Sequence, residues 1–250
     1  MAELAAAGKS PDILYWVGCA GAFDERYKKV SRSFAKLLNH AGVNYAVLGK
    51  EESCTGDAAK RAGNEMLFQM QALNNIEILN GYNIKKIVCT CPHCFNTLKN
   101  EYHQFGGDFF KVVHHTEYLL ELIKIGKLRL RSKIAQKITY HDSCYLGRYN
   151  DIYEPPREII SQLPRAELVE MGRRRNKAFC CGAGGGHMWM EETGTHVNEV
   201  RTEEAMQTGA EVIATACPFC IQMFGDGVKA KGVEETLQVK DLAELIAEAL

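Results

Sequence analysis

Ten cysteines in 250 residues are the first sign of chemistry in this sequence. They stand at Cys19, Cys54, Cys89, Cys91, Cys94, Cys144, Cys180, Cys181, Cys217 and Cys220. Their spacing repeats: Cys19 precedes Cys144 by 125 residues, and Cys54–Cys180, Cys91–Cys217 and Cys94–Cys220 are each 126 apart. The flanks agree, with Cys54-Thr55-Gly56 answering Cys180-Cys181-Gly182 and Cys91-Pro92-His93-Cys94 answering Cys217-Pro218-Phe219-Cys220. Four thiolates serve one tetrahedral zinc or one iron–sulfur cluster, and soft sulfur donors do not choose between the two. Cys19, Cys54, Cys91 and Cys94 therefore fit a four-iron cluster or zinc. The second half offers five thiols: Cys144, Cys180, Cys181, Cys217 and Cys220. Zinc would leave one of them over, and adjacent Cys180 and Cys181 are awkward for one small ion. A larger cluster can use neighbouring side chains that point in different directions, so the expectation there is iron–sulfur. Cys89, whose counterpart is Thr215, reads as a small buried residue at a strand end, or else as an extra thiol near the first site.

These cysteines need elements to position them, and the repeat supplies the plan. Ile13–Val17 is a short apolar run ending at Gly18-Cys19 and predicts a buried strand. Val30, Phe34, Leu37, Leu38 and Ala41 recur at helical spacing, with Gly42 as the stop. Tyr45–Leu48 predicts a second strand, residues 58–80 a long helix, Lys86–Cys89 a third strand and Val112-Val113 a short fourth. The second half repeats this with Ile138–Tyr140, Leu168-Val169 and Val212–Thr215. The helix after each CPxC is matched by setting Leu119, Leu122 and Ile123 against Leu242, Leu245 and Ile246. Strands alternating with helices predict an α/β fold of two pseudo-symmetric tandem domains, each a mostly parallel sheet with flanking helices. The expected boundaries are 1–125 and 137–250, joined by the polar connector 126–136. The cysteines follow strand carboxyl ends, where open α/β sheets hold ligands.

The composition, 46% hydrophobic and 24% charged, is that of an ordinary globular chain. A net charge of −1 leaves no basic excess for a nucleic-acid backbone. No apolar run reaches the roughly 20 residues of a membrane span, and MAELAAAGKS lacks the pattern of a secretory signal. The expectation is a cytoplasmic chain, held at a membrane only through a partner. In a reducing compartment, unpaired cysteines at this density point to metal or redox work.

The arrangement Cys144–x35–Cys180-Cys181-Gly182–x34–Cys217-x-x-Cys220 resembles the cysteine-rich CCG domain found in the B-type component of heterodisulfide reductase and in related iron–sulfur oxidoreductases. The phrases YWVGCAG, ESCTGDAAKRAGNE, CPHCFNTLKNEY, HDSCYLGRYN, FCCGAGGGHMWME and ACPFC resemble a subgroup linked to electron-transfer flavoprotein. In that subgroup the module is a separate subunit or the tail of a larger membrane-bound oxidoreductase. The resemblance spans nearly the whole chain. It implies a noncubane four-iron cluster on the five second-half cysteines, with an open iron edge where a disulfide is split in two one-electron steps. The first half departs from the pattern at Thr55, which leaves an ordinary four-thiolate cluster or zinc there.

Several residues compete for roles around these sites. The glycines 182–186 follow the paired cysteines directly, so they suit close backbone approach and N–H groups aimed at sulfur better than a phosphate loop. His141 could deliver a proton to a leaving thiolate, and Arg148 could anchor an anionic substrate or steady cluster charge. Cys180 and Cys181 would carry the chemistry with them. His114 and His115 sit at predicted strand ends, where a buried or capping role competes with proton delivery, while His93 and His187 lie near cysteines by sequence alone. Arg173-Arg174-Arg175 reads as a solvated loop or as a dock for an acidic redox partner. Met188, Trp189 and Met190 read as packing beside the second site. The expected function is an iron–sulfur oxidoreductase subunit that reduces a disulfide or oxidises a thiol or sulfur carrier. Electrons would enter at the first site from partner subunits carrying flavin or ferredoxin-type clusters. An electron-transfer module without its own substrate, and a zinc-stabilised interaction protein, are the alternatives.

Overall fold

A computed structural model describes residues 1–190 and 193–250. Glu191, the last residue of FCCGAGGGHMWME, lies outside the described residues. The first half runs α1 (Ala2–Ala6), β1 (Ile13–Trp16), α2 (Gly18–Phe23), α3 (Glu25–His40), β2 (Tyr45–Ala46), α4 (Asp57–Arg61), α5 (Glu65–Gly81), β3 (Lys86–Cys89), α6 (Pro92–Asn96), β4 (Lys111–His114) and α7 (His115–Lys124). The second runs β5 (Lys137–Tyr140), α8 (Glu154–Gln162), β6 (Glu167–Leu168), α9 (Val197–Met206), β7 (Val212–Thr215), α10 (Pro218–Ala230), β8 (Gln238–Asp241) and α11 (Leu242–Ala249). Each half forms a wholly parallel four-stranded sheet. The order is β2-β1-β3-β4 in one and β6-β5-β7-β8 in the other, so the tandem α/β repeat is real.

The central strands are apolar without alternation, as sheets covered on both faces require. Ile13, Leu14, Tyr15 and Trp16 of β1 are all buried, and so is every residue of β7. In α3, Asp24 caps the first turn by accepting from the Tyr27 amide at 2.6 Å. Val30, Phe34, Leu37 and Leu38 then form its buried stripe. Across the repeat, α3 packs on α11 and α7 on α8, so four helices fill the space between the sheets and both halves share one core. Burial of each Leu, Ile or Phe there contributes about 1.5–3 kcal/mol. The connector adds Leu128 and Ile134 to the same core. Arg26 ties the halves at the rim, donating to both Glu244 carboxylate oxygens at 2.8 and 2.7 Å.

Three features differ from the sequence expectation. The long helix over 58–80 is two helices, because Gly63 turns at a φ of 82° and Asn64 caps α5 by accepting from the Leu67 amide. The match between the last helices shifts by four residues. His114 with Glu117, and Asp241 with Glu244, form equivalent capping boxes, so Leu119 corresponds to Ile246. An apolar stripe recurs every three or four residues, so a slip of one turn preserves its pattern. Strand β8 has only Asp241 fully buried, and its sequence QVKD carries little apolar signal.

Candidate metal centres

The second-half cysteines gather beyond the carboxyl ends of β5 and β7. Cys144 lies in the turn after β5. Cys180 and Cys181 lie on the loop before a 3-10 turn, Gly184–Trp189. Cys217 occupies the position just before α10, whose first residue is Pro218, and Cys220 is in its first turn. The Cys181 and Cys220 sulfurs are 3.4 Å apart, and the Ser143 hydroxyl is 3.6 Å from Cys220 Sγ. A His141 ring nitrogen and the Cys181 and Cys220 sulfurs all lie within 4.8 Å of one another. Gly182, at a φ of 99°, donates its amide to Cys180 Sγ at 3.3 Å.

The thiols perturb one another. Hydrogen bonds from Cys180, Cys220 and His141 outweigh burial and hold Cys181 well below the ordinary thiol value. The hydrogen bond to Cys181, together with burial, pushes Cys180 up. Burial raises Cys217, but hydrogen bonds with Cys220 and His93 bring it down to about 6. Burial raises Cys144, which also feels Cys217 and Cys181. Five mutually interacting, largely buried sulfurs form a donor set that suits a thiolate-ligated metal centre better than five free thiols.

The first-half set is built in the same way. Glu52 holds the turn after β1 by accepting from the Val17 and Gly18 amides at 3.1 and 2.6 Å, which sets Cys19 in α2. Cys54 accepts from the Gly56 amide at 3.4 Å, and Gly56 has a φ of 87°, so the glycine turn at the second site is reproduced. The Cys19–Cys54 hydrogen bond pulls Cys54 down to about 6 and pushes Cys19 up. Cys91 and Cys94 are also hydrogen-bonded to each other. Thr55 stands where the second half has Cys181, and its hydroxyl lies 3.8 Å from Cys94 Sγ. All four cysteines line a cavity of about 150 Å³.

The other sequence candidates separate on this geometry. His141 is buried at the second site, and its Nδ1 accepts from Arg201 Nε at 3.3 Å. Arg148 donates to the Ala178 carbonyl and so braces the loop that carries Cys180. Cys89 is fully buried in β3, where desolvation pushes its thiol up. His115 pairs with Asp241 at 3.0 Å across the halves, both out of solvent, and His114 Nδ1 lies 2.8 Å from the Thr116 hydroxyl. His187 is exposed in the 3-10 turn. The arginine run is engaged within the chain: Arg173 pairs with Glu204, Arg174 with the Met171 carbonyl and Arg175 with Glu154. Trp189 lines the first-half cavity rather than only packing beside the second site, and it is 65% exposed. The glycine turn swings it across the repeat.

Sequence reasoning missed three groups. Asp57 accepts from Arg61 Nε at 3.2 Å and lies 2.8 Å from His93 Nδ1. Its place directly after Cys54-Thr55-Gly56 was the available signal. The buried Asp142–Arg157 pair, at 2.7 and 2.8 Å, braces the Cys144 turn. Arg201, wholly buried behind His141, carried no sequence signal. A further cavity of about 250 Å³ lies between the halves, lined by Asp57, Arg61, His93, Tyr145, Ala183, Trp189, Met190 and Phe219 among others.

Comparison with known proteins places this geometry. The CCG cysteine-rich domain matches twice, over residues 13–99 and 138–225. The chain is 50% identical over 249 residues to the probable iron-sulfur-binding oxidoreductase FadF of Bacillus subtilis, covering 99% of this chain and 35% of that protein. It is 43% identical to the EtfAB:quinone oxidoreductase of Syntrophomonas wolfei, covering 97% of this chain and 35% of that protein. It is 35% identical to the D-type component of the dihydromethanophenazine:CoB–CoM heterodisulfide reductase of Methanosarcina barkeri, covering 96% of this chain and 59% of that component. The chain thus spans about a third of the length of the first two relatives. Among the described residues, no helix is long and apolar enough to cross a membrane. Two matched segments, each with its own cysteine cage on its own parallel sheet, make this chain a member of the CCG cysteine-rich domain family.

Proposed function

We propose that the chain is an iron–sulfur oxidoreductase subunit that reduces a disulfide, or oxidises a thiol or sulfur carrier, at its second-half site. The observation that carries this reading is the convergence of five sulfurs, with adjacent Cys180 and Cys181 in one cage. Cys144, Cys180, Cys181, Cys217 and Cys220 would hold a noncubane four-iron cluster. Cys19, Cys54, Cys91 and Cys94 would hold a four-iron cluster or zinc. When bound, the second-half cluster supplies single electrons. Reduction of one disulfide then takes two electrons and two protons and yields two thiols, with the electrons supplied by partner subunits that carry flavin or ferredoxin-type clusters.

The chain's own residues give this reaction a place. The cavity between the halves admits substrate beside Tyr145 and Ala183, which lie one and two residues beyond Cys144 and Cys181 in sequence. Arg61 lines it with its guanidinium held by Asp57 and Glu101, and Arg148 would steady the loop that carries Cys180 through the Ala178 carbonyl. His141, held by Arg201, would pass a proton to the leaving thiolate. Gly182 and Gly56 aim amides at sulfur, which favours the more reduced, more negative state of a centre. Residues 1–125 and 137–250 would act as two modules joined by 126–136.

A second reading is an electron-transfer module with no substrate of its own. The relative at 43% identity favours it, since that protein is named an EtfAB:quinone oxidoreductase. Iron, zinc and acid-labile sulfide, measured on protein purified without oxygen, test the family of readings. About eight irons with matching sulfide support two four-iron centres. About four irons with one zinc make the first half structural. Zinc without sulfide rules out both redox readings. Adding a disulfide to the reduced protein then divides the two: a changed second-site spectrum supports catalysis, and an unchanged one supports relay.

A further inference from the structure

The cavity of about 250 Å³ between the halves is walled mostly by rings and small apolar groups, among them Tyr145, Trp189, Phe219, Met190, Ala62 and Ala183. The rings pack on one another. His93 stacks on Tyr145 at 4.1 Å and meets Phe219 edge-on at 4.7 Å, while Trp189 meets Phe219 at 5.8 Å. Asp57 and Arg61 bring charge to the wall, and both are answered within the chain. Arg61 Nε donates to Asp57 Oδ1 at 3.2 Å, and Arg61 Nη2 donates to Glu101. Asp57 Oδ2 lies 2.8 Å from His93 Nδ1. Glu101 does not line the cavity, and its other oxygen lies 2.9 Å from Lys60 Nζ. Among the described residues of the wall, no cationic side chain stands without a carboxylate.

We propose that this cavity takes a small uncharged disulfide, its sulfurs carried on short alkyl or aryl arms, in preference to an anionic or cationic one. The proposal rests on the disulfide reading above and names its substrate class. A charged arm drawn against these rings loses water and finds the nearby charges already paired, which is costly. A neutral arm gains from burial against the same rings. The volume limits size, since it equals roughly eight water volumes of about 30 Å³, enough for the two sulfurs and a few carbons on each side. Reduction there breaks one S–S bond, takes up two electrons delivered by the partner subunits and two protons, and releases two uncharged thiols. Glu101 is a positioning residue in this scheme: it acts on selectivity by holding Arg61.

Three disulfides of similar size test this: uncharged hydroxyethyl disulfide, the dianion dithiodiglycolate and the dication cystamine. Binding is read on the intact, oxidised, iron-loaded chain, where no electrons are available, as quenching of Trp189 fluorescence. Trp16, the other tryptophan, is 1% exposed and shielded from the quencher. Half-quenching by hydroxyethyl disulfide is expected at a concentration about tenfold or more below that of either charged compound. On the chain reduced without oxygen and freed of excess reductant, thiol release should follow the same order. Ala62→Phe, at an exposed position on the wall, should weaken both readouts several-fold. Glu101→Gln should raise binding of dithiodiglycolate relative to hydroxyethyl disulfide by about threefold, a ratio that a merely structural loss would not move. Equal or tighter binding of dithiodiglycolate by the wild type overturns the proposal, and thiol release from it leaves the disulfide reading standing. A ratio unmoved by Glu101→Gln, or readouts unmoved by Ala62→Phe, also overturns the proposal. No thiol from any of the three overturns the disulfide reading on which it rests.

Discussion

Arg157 gives the most direct test of how the second site is held. Its guanidinium donates to both Asp142 carboxylate oxygens at 2.7 and 2.8 Å, to Glu170 at 2.7 and 3.0 Å, and to the Tyr153 carbonyl at 2.9 Å. The Arg157 and Asp142 side chains are 6% and 2% exposed. Asp142 also accepts from the Arg175 amide at 2.7 Å, so one carboxylate ties the Cys144 turn to the loop that leads to Cys180. Arg157→Met keeps much of the volume but leaves Asp142 buried and unpaired. Removal of one partner of such a pair costs about 3–5 kcal/mol. At about 2–4 °C per kcal/mol for a chain of this size, the thermal midpoint should fall by roughly 6–20 °C. Arg157→Lys should recover only part of this, because an ammonium cannot make the paired fork contacts.

The same pair fixes a pH signature. Burial pushes Asp142 up, but hydrogen bonds from Arg157 and the Arg175 amide hold it below the usual carboxylate value. A group lowered on folding adds stability above its unfolded value, near 3.9, and loses it as pH falls through the folded value. In Arg157→Met only burial and the amide bond remain, so Asp142 should rise and take up a proton. The deficit against wild type should therefore be largest near pH 7 and shrink toward pH 4. Thermal and urea melts of both proteins between pH 4 and 8 read this. A loss under about 1 kcal/mol, or a deficit that does not change with pH, would refute the reasoning.

Other substitutions probe single parts of the structure. Cys89→Ala should keep the full iron content, whereas Cys181→Ser should lower iron and sulfide by about half if both halves hold four-iron centres, as metal analysis would report. Gly56→Ala should cost on the order of 1–3 kcal/mol in urea melts, because a φ of 87° strains an L residue and the added Cβ would meet Phe68 Cδ2 at 2.7 Å. Trp189→Ala should speed the loss of first-site iron in air several-fold, and more than the loss of second-site iron, since Trp189 lines the cavity formed by the four first-half cysteines. Equal loss from both sites would contradict that placement.

Much of this protein is legible along the chain. Covalent spacing carries the repeat, since a metal cage needs its donors at fixed points on a repeated fold, and the cysteine pairs at 125 and 126 residues mark both halves and their ligand candidates. Strands such as Ile13–Trp16 and Val212–Thr215 are legible because burial on both faces demands an unbroken apolar run. Local pattern could not place β8, the break at Gly63-Asn64 or the register of the last helix, where weak or periodic signals admit several answers. Contacts across the repeat lay further out of reach. That His93 stacks on Tyr145 and meets Phe219 of the other half, that Phe219 and Trp189 line the first-half cavity, and that Arg201 stands behind His141 follow only from how the two halves pack together. Sequence determined which atoms could bind metal, because that depends on residue type and spacing. Tertiary packing decided which charges and rings face each sulfur, because that depends on how the two copies of one fold are set against each other.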